Sequence, residues 1–367
     1  MLEDAVGRKQ IMWKIGNLFE KIISLENLYL ADENARKKKQ NTHGVIIHDK
    51  NRKENLEKLH NDLKNKTFST SRYNIFKINE TKERIVSNLP YYPDRIVHHA
   101  IMNIIEPFWS KLIPYNSYAC LKERGLTACA NQVSKNIYYF RNSENLYCLK
   151  IDIKQFYPSI NHEILKNIIR KRIKDNDLLW LLDEIIDSTR SDIGIPIGNY
   201  VSQFFANLYL ADFMHYVNGD LLYDVQRELK LEKRPAIKAT AYCDDIVFLS
   251  DRKDILWKVF DLIKNKIEKL KLVIKGNWKI FPIGDNRFDI HGNSLDYVGF
   301  CFYRNQKLLR KRIKKNFCKK AHKLNKKEDI SEIKYKQEIS PWLGWIKHSD
   351  SYSLYKKATI YKLSQQV

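Results

Sequence analysis

The sequence holds six cysteines, and no two of them form a C-x-x-C pair. Cys120, Cys129, Cys148, Cys243, Cys301 and Cys318 are scattered, which argues against a zinc site and fits free thiols in a reducing compartment. Glycine (12) and proline (9) are too sparse for a low-complexity linker, and no internal repeat is present. No uninterrupted apolar stretch approaches the ~20 residues that span a bilayer, so no membrane association is expected. The opening stretch MLEDAVGRKQIMWKIGNLF is charged throughout and lacks the apolar core of a signal peptide; a cytoplasmic location is the expectation. Acidic residues are the minority, 43 Asp+Glu against 65 Lys+Arg, for a net charge of +22. Such a field suits a polyanion, and nucleic acid is the commonest one; an ordinary basic soluble protein is the plain alternative. With 44% hydrophobic and 12% aromatic residues in 367, the chain can bury the cores of two or three domains.

Residues 1–66 read as helical, with Leu56, Leu59 and Leu63 at helical spacing. YNIFKINETKERIVSNLP reads as a hairpin turning at Asn79-Glu80-Thr81, and DRIVHHAIMNIIEPFW as a long apolar helix. His98 and His99 on that helix have no second ligand at i+4 and are expected to pack or cap. LYCLKIDIKQFYPSI is strand-like until Gln155, and one helical segment is expected from about Asn161 to Asp187. GIPIGNYVSQFFANLYLADFMHYV is a glycine-bracketed turn entering an apolar helix. The apolar run Ile246-Val247-Phe248-Leu249 reads as a buried strand, followed by a helix at 253–271. Residues 306–367 are helical and basic, with seven Lys/Arg between Arg310 and Lys320. Residues 219–239 read either as a simple insertion or as a contact surface. Strands interleaved with helices give an α+β class with helical material at both ends.

Asp244 and Asp245 stand at the mouth of that buried strand, where two like charges repel and resist desolvation. Asp152 lies in a second apolar strand, CLKIDI. If the two strands are neighbours, three carboxylates converge, and only cations can neutralise them. Hard divalent ions with oxygen ligands, Mg²⁺ above all, suit such a set. Two of them can stabilise both the attacking and the leaving oxygen of a phosphoryl transfer. An Asp-Asp pair can also simply end a strand at a turn.

YCDD resembles the Y-x-D-D signature of reverse transcriptases, and LKIDIKQFYPSI resembles their first catalytic motif. GIPIGNYVSQFFANLYL, LKLVIK with WKIFPI, and LDYVGFCF resemble the following motifs in order, the last being the primer-gripping hairpin. The similarity covers residues 67–305. Five ordered motifs are specific where one alone would be weak. YYPDRIVHHAIMNIIEPFW and NSYACLKERGLTACANQV are similar to the bacterial group-II-intron-like branch. Ile197-Gly198-Asn199-Tyr200-Val201-Ser202-Gln203 matches the I-G-x-x-x-S-Q pattern of diversity-generating retroelements. No V-T-G tripeptide occurs in the C-terminal part, which counts against a retron enzyme.

The resemblance implies an α+β right-hand polymerase fold: a helical basic N-terminal extension (1–66), fingers (67–150), a palm with an antiparallel sheet (151–305, finger helices inserted around 161–190) and a helical basic thumb (306–367). It implies two Mg²⁺ ions, with Mn²⁺ as a substitute, held by Asp152, Asp244, Asp245 and the Ile153 carbonyl. Tyr157 matches the gate that excludes a ribose 2′-OH, against an alternative of core packing beside Phe156. Ile197 replaces a Gln that contacts the incoming nucleotide, which implies error-prone copying at template adenines; Gly198 and Gln203 share that motif. Lys77, Lys82 and Arg84 match the triphosphate-holding region, Arg84 best because its planar fork suits phosphate. Lys279 falls near the lysine that protonates pyrophosphate, within a residue or so. Val298, Gly299 and Phe300 correspond to the primer grip, and Arg310, Arg312, Lys314 and Lys315 to backbone contacts of the thumb. Trp342, Trp345 and Tyr352 either pack the thumb or stack on bases, packing being favoured.

The function so implied is RNA-directed DNA synthesis from dNTPs, copying a template-repeat RNA into adenine-mutagenised cDNA. The partners implied are the template RNA, the RNA/cDNA duplex and a small basic ring-forming accessory protein, in a bacterial or phage-encoded system. A phage-defence or retron reverse transcriptase is the alternative. A non-catalytic RNA-binding protein is disfavoured because all three aspartates are present. A metal-dependent nuclease would have no use for the GIPIGNYVSQ and YVGF elements.

Overall fold

The computed structural model describes residues 16–79, 83–327 and 330–363, with the side chains of residues 79, 83, 84 and 360–363 outside the description. Helices α1 (Phe19–Ile23), α2 (Leu25–Arg36), α3 (His43–Lys50) and α4 (Arg52–Lys64) come first. A hairpin follows, β1 (Asn74–Asn79) and β2 (Glu83–Asn88), and then α5 (Ile96–Leu112), α6 (Leu126–Tyr139) and β3 (Tyr147–Asp152). Next are α7 (Phe156–Ser159), α8 (His162–Arg170), α9 (Asn176–Asp187), α10 (Tyr200–Asn218) and α11 (Asp220–Glu228). The hairpin β4 (Lys238–Tyr242)–β5 (Asp245–Ser250) leads to α12 (Lys253–Lys269) and β6 (Lys279–Pro282). Strands β7 (Leu295–Tyr297), β8 (Phe300–Phe302) and β9 (Lys307–Leu309) precede α13 (Lys311–Asn325), α14 (Glu332–Lys347) and α15 (Tyr352–Leu363).

The chain divides into two compact units. The first comprises residues up to Tyr115, Ile153–Asp220 and Ile263–Lys275. Its N-terminal helices pack Leu28, Leu56, Leu59 and Leu63, all fully buried, so the leucine spacing marks a core face. Asp32 is buried as well, and its charge is met by Arg36, by Arg52 at 2.6 Å and by the Tyr91 hydroxyl. The expected single helix over 161–187 is two. Asp175 caps α9 by accepting from the Leu178 N–H, and its other oxygen accepts from Leu18 and Phe19 at 2.7 and 2.9 Å. His98 is buried in α5, and the ring of His99 lies 4.8 Å from that of Tyr200, as packing residues.

The second unit comprises Asn116–Asp152, Leu221–Leu262 and the chain from Gly276 onward. Its centre is a four-stranded antiparallel sheet in the order β4-β5-β3-β6. Leu149, Ile151, Ile246 and Phe248 are fully buried on one face; Cys148, Val247 and Leu249 are buried on the other. A strand covered on both faces shows an unbroken apolar run rather than alternation, which explains IVFL. Helix α6 covers the second face with Cys129, Ala130, Val133 and Ile137, beside Tyr297, Phe300 and Phe302 of the three-stranded sheet β7-β8-β9. The C-terminal part is not wholly helical: β9 opens it, paired with β8. Trp342 and Trp345 pack against Phe317 and Phe300, at 6.1 and 5.3 Å between rings. Among the described residues no helix is long and apolar enough to cross a membrane.

Candidate active site

In the second unit, β3 and β5 pair so that Asp152 stands directly opposite Asp245. Strand β4 returns through a two-residue turn, Cys243-Asp244, with Tyr242 opposite Asp245. Cys243 takes φ +58°, which closes the turn and sets Asp244 beside the pair. Antiparallel register therefore gathers the three aspartates at one end of the sheet. Like charges directly across a ladder destabilise it, and nothing in the apolar strands requires them there.

Burial pushes the Asp244 carboxyl up to about 6, and the charges of Asp152 and Asp245 push the same way. Asp245 is also raised, chiefly by burial, while Lys150 and Arg310 pull it back. Lys150 was missed in the sequence reading. It stands two residues before Asp152, so strand alternation puts both on one face. Its ammonium donates to the Asp296 carbonyl at 2.8 Å and lies 3.7 Å from Asp245 Oδ1. Lys279 stands opposite Lys150 on β6, exposed, with its ammonium 4.8 Å over the Phe281 ring. Tyr297 was missed too. Its fully buried ring sends the hydroxyl to donate to the Asp245 carbonyl at 2.7 Å, tying the β7–β8 hairpin to the aspartate turn.

The carboxylate set fits hard divalent cations: oxygen donors, mutually repelling, one of them carrying a pKa raised chiefly by burial and further by that repulsion. Among the described residues no three acidic, imidazole or thiol side chains are already closed into a finished cage. The backbone register gathers these groups, and ion binding would complete the set.

The β7–β8 turn is Val298-Gly299, with φ +39° and +86°. A β-branched residue in the left-handed region is strained, and such strain collects at functional tips. A Cβ on Gly299 would come within 2.6 Å of Trp345 Cη2 and 3.0 Å of Ile313 Cδ1. Gly299→Ala should therefore destabilise the protein by about 1–3 kcal/mol, read from chemical denaturation; an unchanged midpoint would show that the Trp345 ring yields freely. Phe300 is buried. Arg310 caps α13, pairs with Asp296 and donates its N–H to the Gly299 carbonyl at 3.0 Å. Arg312, Lys314 and Lys315 lie exposed on α13, whose other face buries Phe317, Ala321 and Leu324.

The first unit holds the other candidates. Ile153 is buried and bridges to Ile274. Tyr157 lies on α7, half-buried, edge-on to the buried Phe156 with ring centres 5.8 Å apart. Its carbonyl accepts from the Ile195 N–H at 3.0 Å, and the Ile197 carbonyl accepts from Ser87 at 2.9 Å. Gly198, at φ +118°, has room for no Cβ, because Ser87 O and Val86 Cγ1 would lie at 3.0 and 3.1 Å. The structure thus sets Ile197 and Gly198 against β2, while Tyr157 is bonded to Ile195 at the start of the same turn. Gln203 is half-buried in the first turns of α10. Lys77 is exposed on β1, opposite Ile85. Arg84 stands opposite Ile78, with its side chain outside the description, and Lys82 lies outside the described residues.

Residues 75–279 match the model of the reverse transcriptase (RNA-dependent DNA polymerase) family. That is more than half of the chain, which belongs to this family. Its fold class is accordingly the α+β class of the right-hand polymerases. It is 28% identical over 205 residues to the Retron Ec73 reverse transcriptase of Escherichia coli, covering 53% of this chain and 58% of that protein. It is 24% identical over 187 residues to Protein YkfC of Escherichia coli strain K12, covering 44% and 49%. The chain thus spans about half the length of the curated relatives it matches. A solved telomerase from Candida tropicalis, in complex with a TWJ fragment of telomeric RNA, overlaps 82% of this chain and 58% of its own with a TM-score of 0.47 at 14% identity. The family match ends at Lys279, so the β7–β8 hairpin and α13 rest on motif and geometry.

Proposed function

We propose that the protein is an RNA-directed DNA polymerase that extends a primer on an RNA template with dNTPs. The observation that carries this reading is the opposition of Asp152 and Asp245 across β3 and β5, with Asp244 in the adjoining turn. Asp152, Asp244, Asp245 and the Ile153 carbonyl would hold two divalent ions, Mg²⁺ in the first instance. Bound there, the ions supply charge neutralisation for the attacking and leaving oxygens. Lys150 moderates the charge of Asp245, and Tyr297 holds the turn in place. Lys279 is assigned proton donation to the leaving pyrophosphate, and Lys77, Lys82 and Arg84 the triphosphate.

Residues 67–150 and 161–190 are assigned to fingers, the rest of 151–305 to palm, and 306–367 to thumb. Helix α13 opens on Lys311, Arg312, Lys314 and Lys315 with no acid in its first turn. Cations at a helix N-terminus oppose the helix dipole, a cost that binding nucleic-acid phosphates there offsets. Contacts of this kind carry no sequence information and weaken with salt.

Within this activity, Ile197 with Ser202-Gln203 supports the error-prone copying of a diversity-generating retroelement. An apolar side chain at 197 removes a hydrogen bond to the templated pair and so narrows discrimination. Ile197→Gln should lower misincorporation opposite template adenines by about tenfold, counted by sequencing primer-extension products. An unchanged error spectrum would remove this role from Ile197. The similarity to the Retron Ec73 reverse transcriptase favours a second reading, a retron or phage-defence enzyme. Primer extension on a mixed-sequence RNA, beside Asp244→Ala, tests both. Wild-type DNA with errors at adenines supports the retroelement, accurate DNA supports the second reading, and DNA from both proteins refutes the site. A small basic accessory protein belongs to the first reading. The acidic helix α9 is an unpromising dock for it, because Asp177, Asp183 and Asp187 already pair with Lys66, Arg170 and Lys166.

A further inference from the structure

The second unit carries a cavity of about 450 Å³ that none of the roles above uses. It lies between α6 and the turn joining β8 to β9, lined by Lys135, Tyr138, Tyr303, Arg304, Gln306 and Lys307 among others. Strand β3 runs from Asp152 at the aspartate end of the sheet to Tyr147, six residues or roughly 17 Å away. The cavity belongs to the Tyr147 end. The carbonyl of Leu146 accepts from Ile283, and Arg304, whose N–H donates to Gly284, sends its guanidinium to the carbonyls of Ser143 and Glu144.

Four features of the lining point to one chemistry. Tyr138 is 65% exposed at the mouth, with the Arg141 guanidinium 4.4 Å from its ring centre, a cation-backed aromatic surface. Lys135 is exposed and makes no ion pair among the described residues, and Lys307 lies close by, half-buried, with its backbone engaged by Asp350 and its ammonium 5.6 Å over the Phe300 ring. The carboxylate of Asp350 accepts the Lys307 N–H at 2.7 Å and is the only acid in the lining. The amide oxygen of Gln306 is buried with no donor, a state that costs free energy until a donor arrives. An open aromatic face, the Lys135 ammonium and an orphaned acceptor match the base, phosphate and exocyclic amine (or 2′-hydroxyl) of a nucleotide.

We infer that this cavity is a second nucleic-acid site that takes one unstacked nucleotide of single-stranded RNA, away from the aspartate end of the sheet. The base lies on Tyr138, its amine or a ribose hydroxyl donates to Gln306 Oε1, and Lys135 and Lys307 meet the flanking phosphates. An apolar peptide would leave the ammonium groups unmatched. A free nucleotide shares the chemistry, and the test separates the two sources.

The test uses the full chain. A 5-iodouridine-substituted RNA is photo-crosslinked and the adduct mapped, and a fluorescein-labelled 20-mer RNA is titrated by anisotropy. The proteins are wild type, Tyr138→Ala, Tyr138→Phe, Lys135→Glu and Gln306→Leu. Crosslinks at Tyr138 or Tyr303 are expected. Affinity should fall about tenfold in Tyr138→Ala and Lys135→Glu, stay in Tyr138→Phe, and fall severalfold in Gln306→Leu. Extension of a short primer–template lacking a long single-stranded tail should be unchanged, because none of these residues belongs to the polymerase machinery. Tyr138 and Lys135 are exposed, so their variants should keep the wild-type melting temperature. Equilibrium dialysis with AMP decides the source: AMP bound at micromolar affinity and lost in Tyr138→Ala would overturn the RNA assignment in favour of a free nucleotide. RNA affinity equal in all five proteins, with no crosslink at either tyrosine, would overturn the site itself.

Discussion

Asp244→Asn should cut primer extension by about a thousandfold or more and at the same time stabilise the metal-free protein at pH 8. The two effects have one cause. The folded protein holds the Asp244 carboxyl up at about 6, above its ordinary value of 3.8, through burial and the neighbouring charges of Asp152 and Asp245. A carboxyl raised on folding binds its proton more tightly in the folded state. Its ionised form therefore costs stability, fully above pH 6, and the cost fades as pH falls toward 3.8. At pH 8 the cost is about 2 kcal/mol once partial solvent access is allowed for, or a few degrees in melting temperature. Thermal melts of wild type and Asp244→Asn in EDTA should differ at pH 8 and converge near pH 4. Added Mg²⁺ should raise the wild-type melting point at pH 8 and leave the variant nearly unmoved. A gap that ignores pH would mean that ionising the buried Asp244 is not the source of the cost.

Tyr157→Ala should cut discrimination against ribonucleotides by about a hundredfold, while Tyr157→Phe keeps it. A gate of this kind would act by bulk, so the ring would matter and the hydroxyl would not. Phe156 fills the core, and Tyr157 stands edge-on beside it, half-buried. Single-turnover incorporation of ATP against dATP on an RNA template measures the ratio. An alanine variant that still rejects ATP would move the gate elsewhere and leave Tyr157 as a packing residue. Loss of Tyr157 should leave dATP incorporation within about tenfold of wild type, which separates a gate from a collapsed site.

Local pattern carried the reading a long way. The apolar strands CLKIDI and DIVFLS, the turn after GIP, the leucine ladder of α4 and the basic face of α13 follow from short-range periodicity. The family followed from the order of motifs along the chain, which needs no coordinates. Limits appeared wherever a residue's role depends on a distant segment. The segment from Leu146 reads as a strand until Gln155, yet β3 stops at Asp152, Gln155 turns left-handed at φ +47° and α7 begins. The break between α8 and α9 is built by Asp175 holding both its own helix and the N–H groups of Leu18 and Phe19, some 155 residues back. Strand β9, three residues long, is too short to show a period.

Residue type and order already pointed to the family and to a candidate chemistry: three carboxylates on apolar strands, a basic chain to meet a polyanion, and an ordered set of motifs. Residue type and spacing carry that information because strands and helices obey local rules. Which groups meet depends on long-range packing. Register set Asp152 against Asp245 and brought Lys150 to the same face; the β7–β8 hairpin delivered the Tyr297 hydroxyl to the Asp245 carbonyl. The cavity of Tyr138, Gln306 and Lys307 joins segments about 170 residues apart. No window along the chain contains such a contact, because it exists only once the sheet has closed.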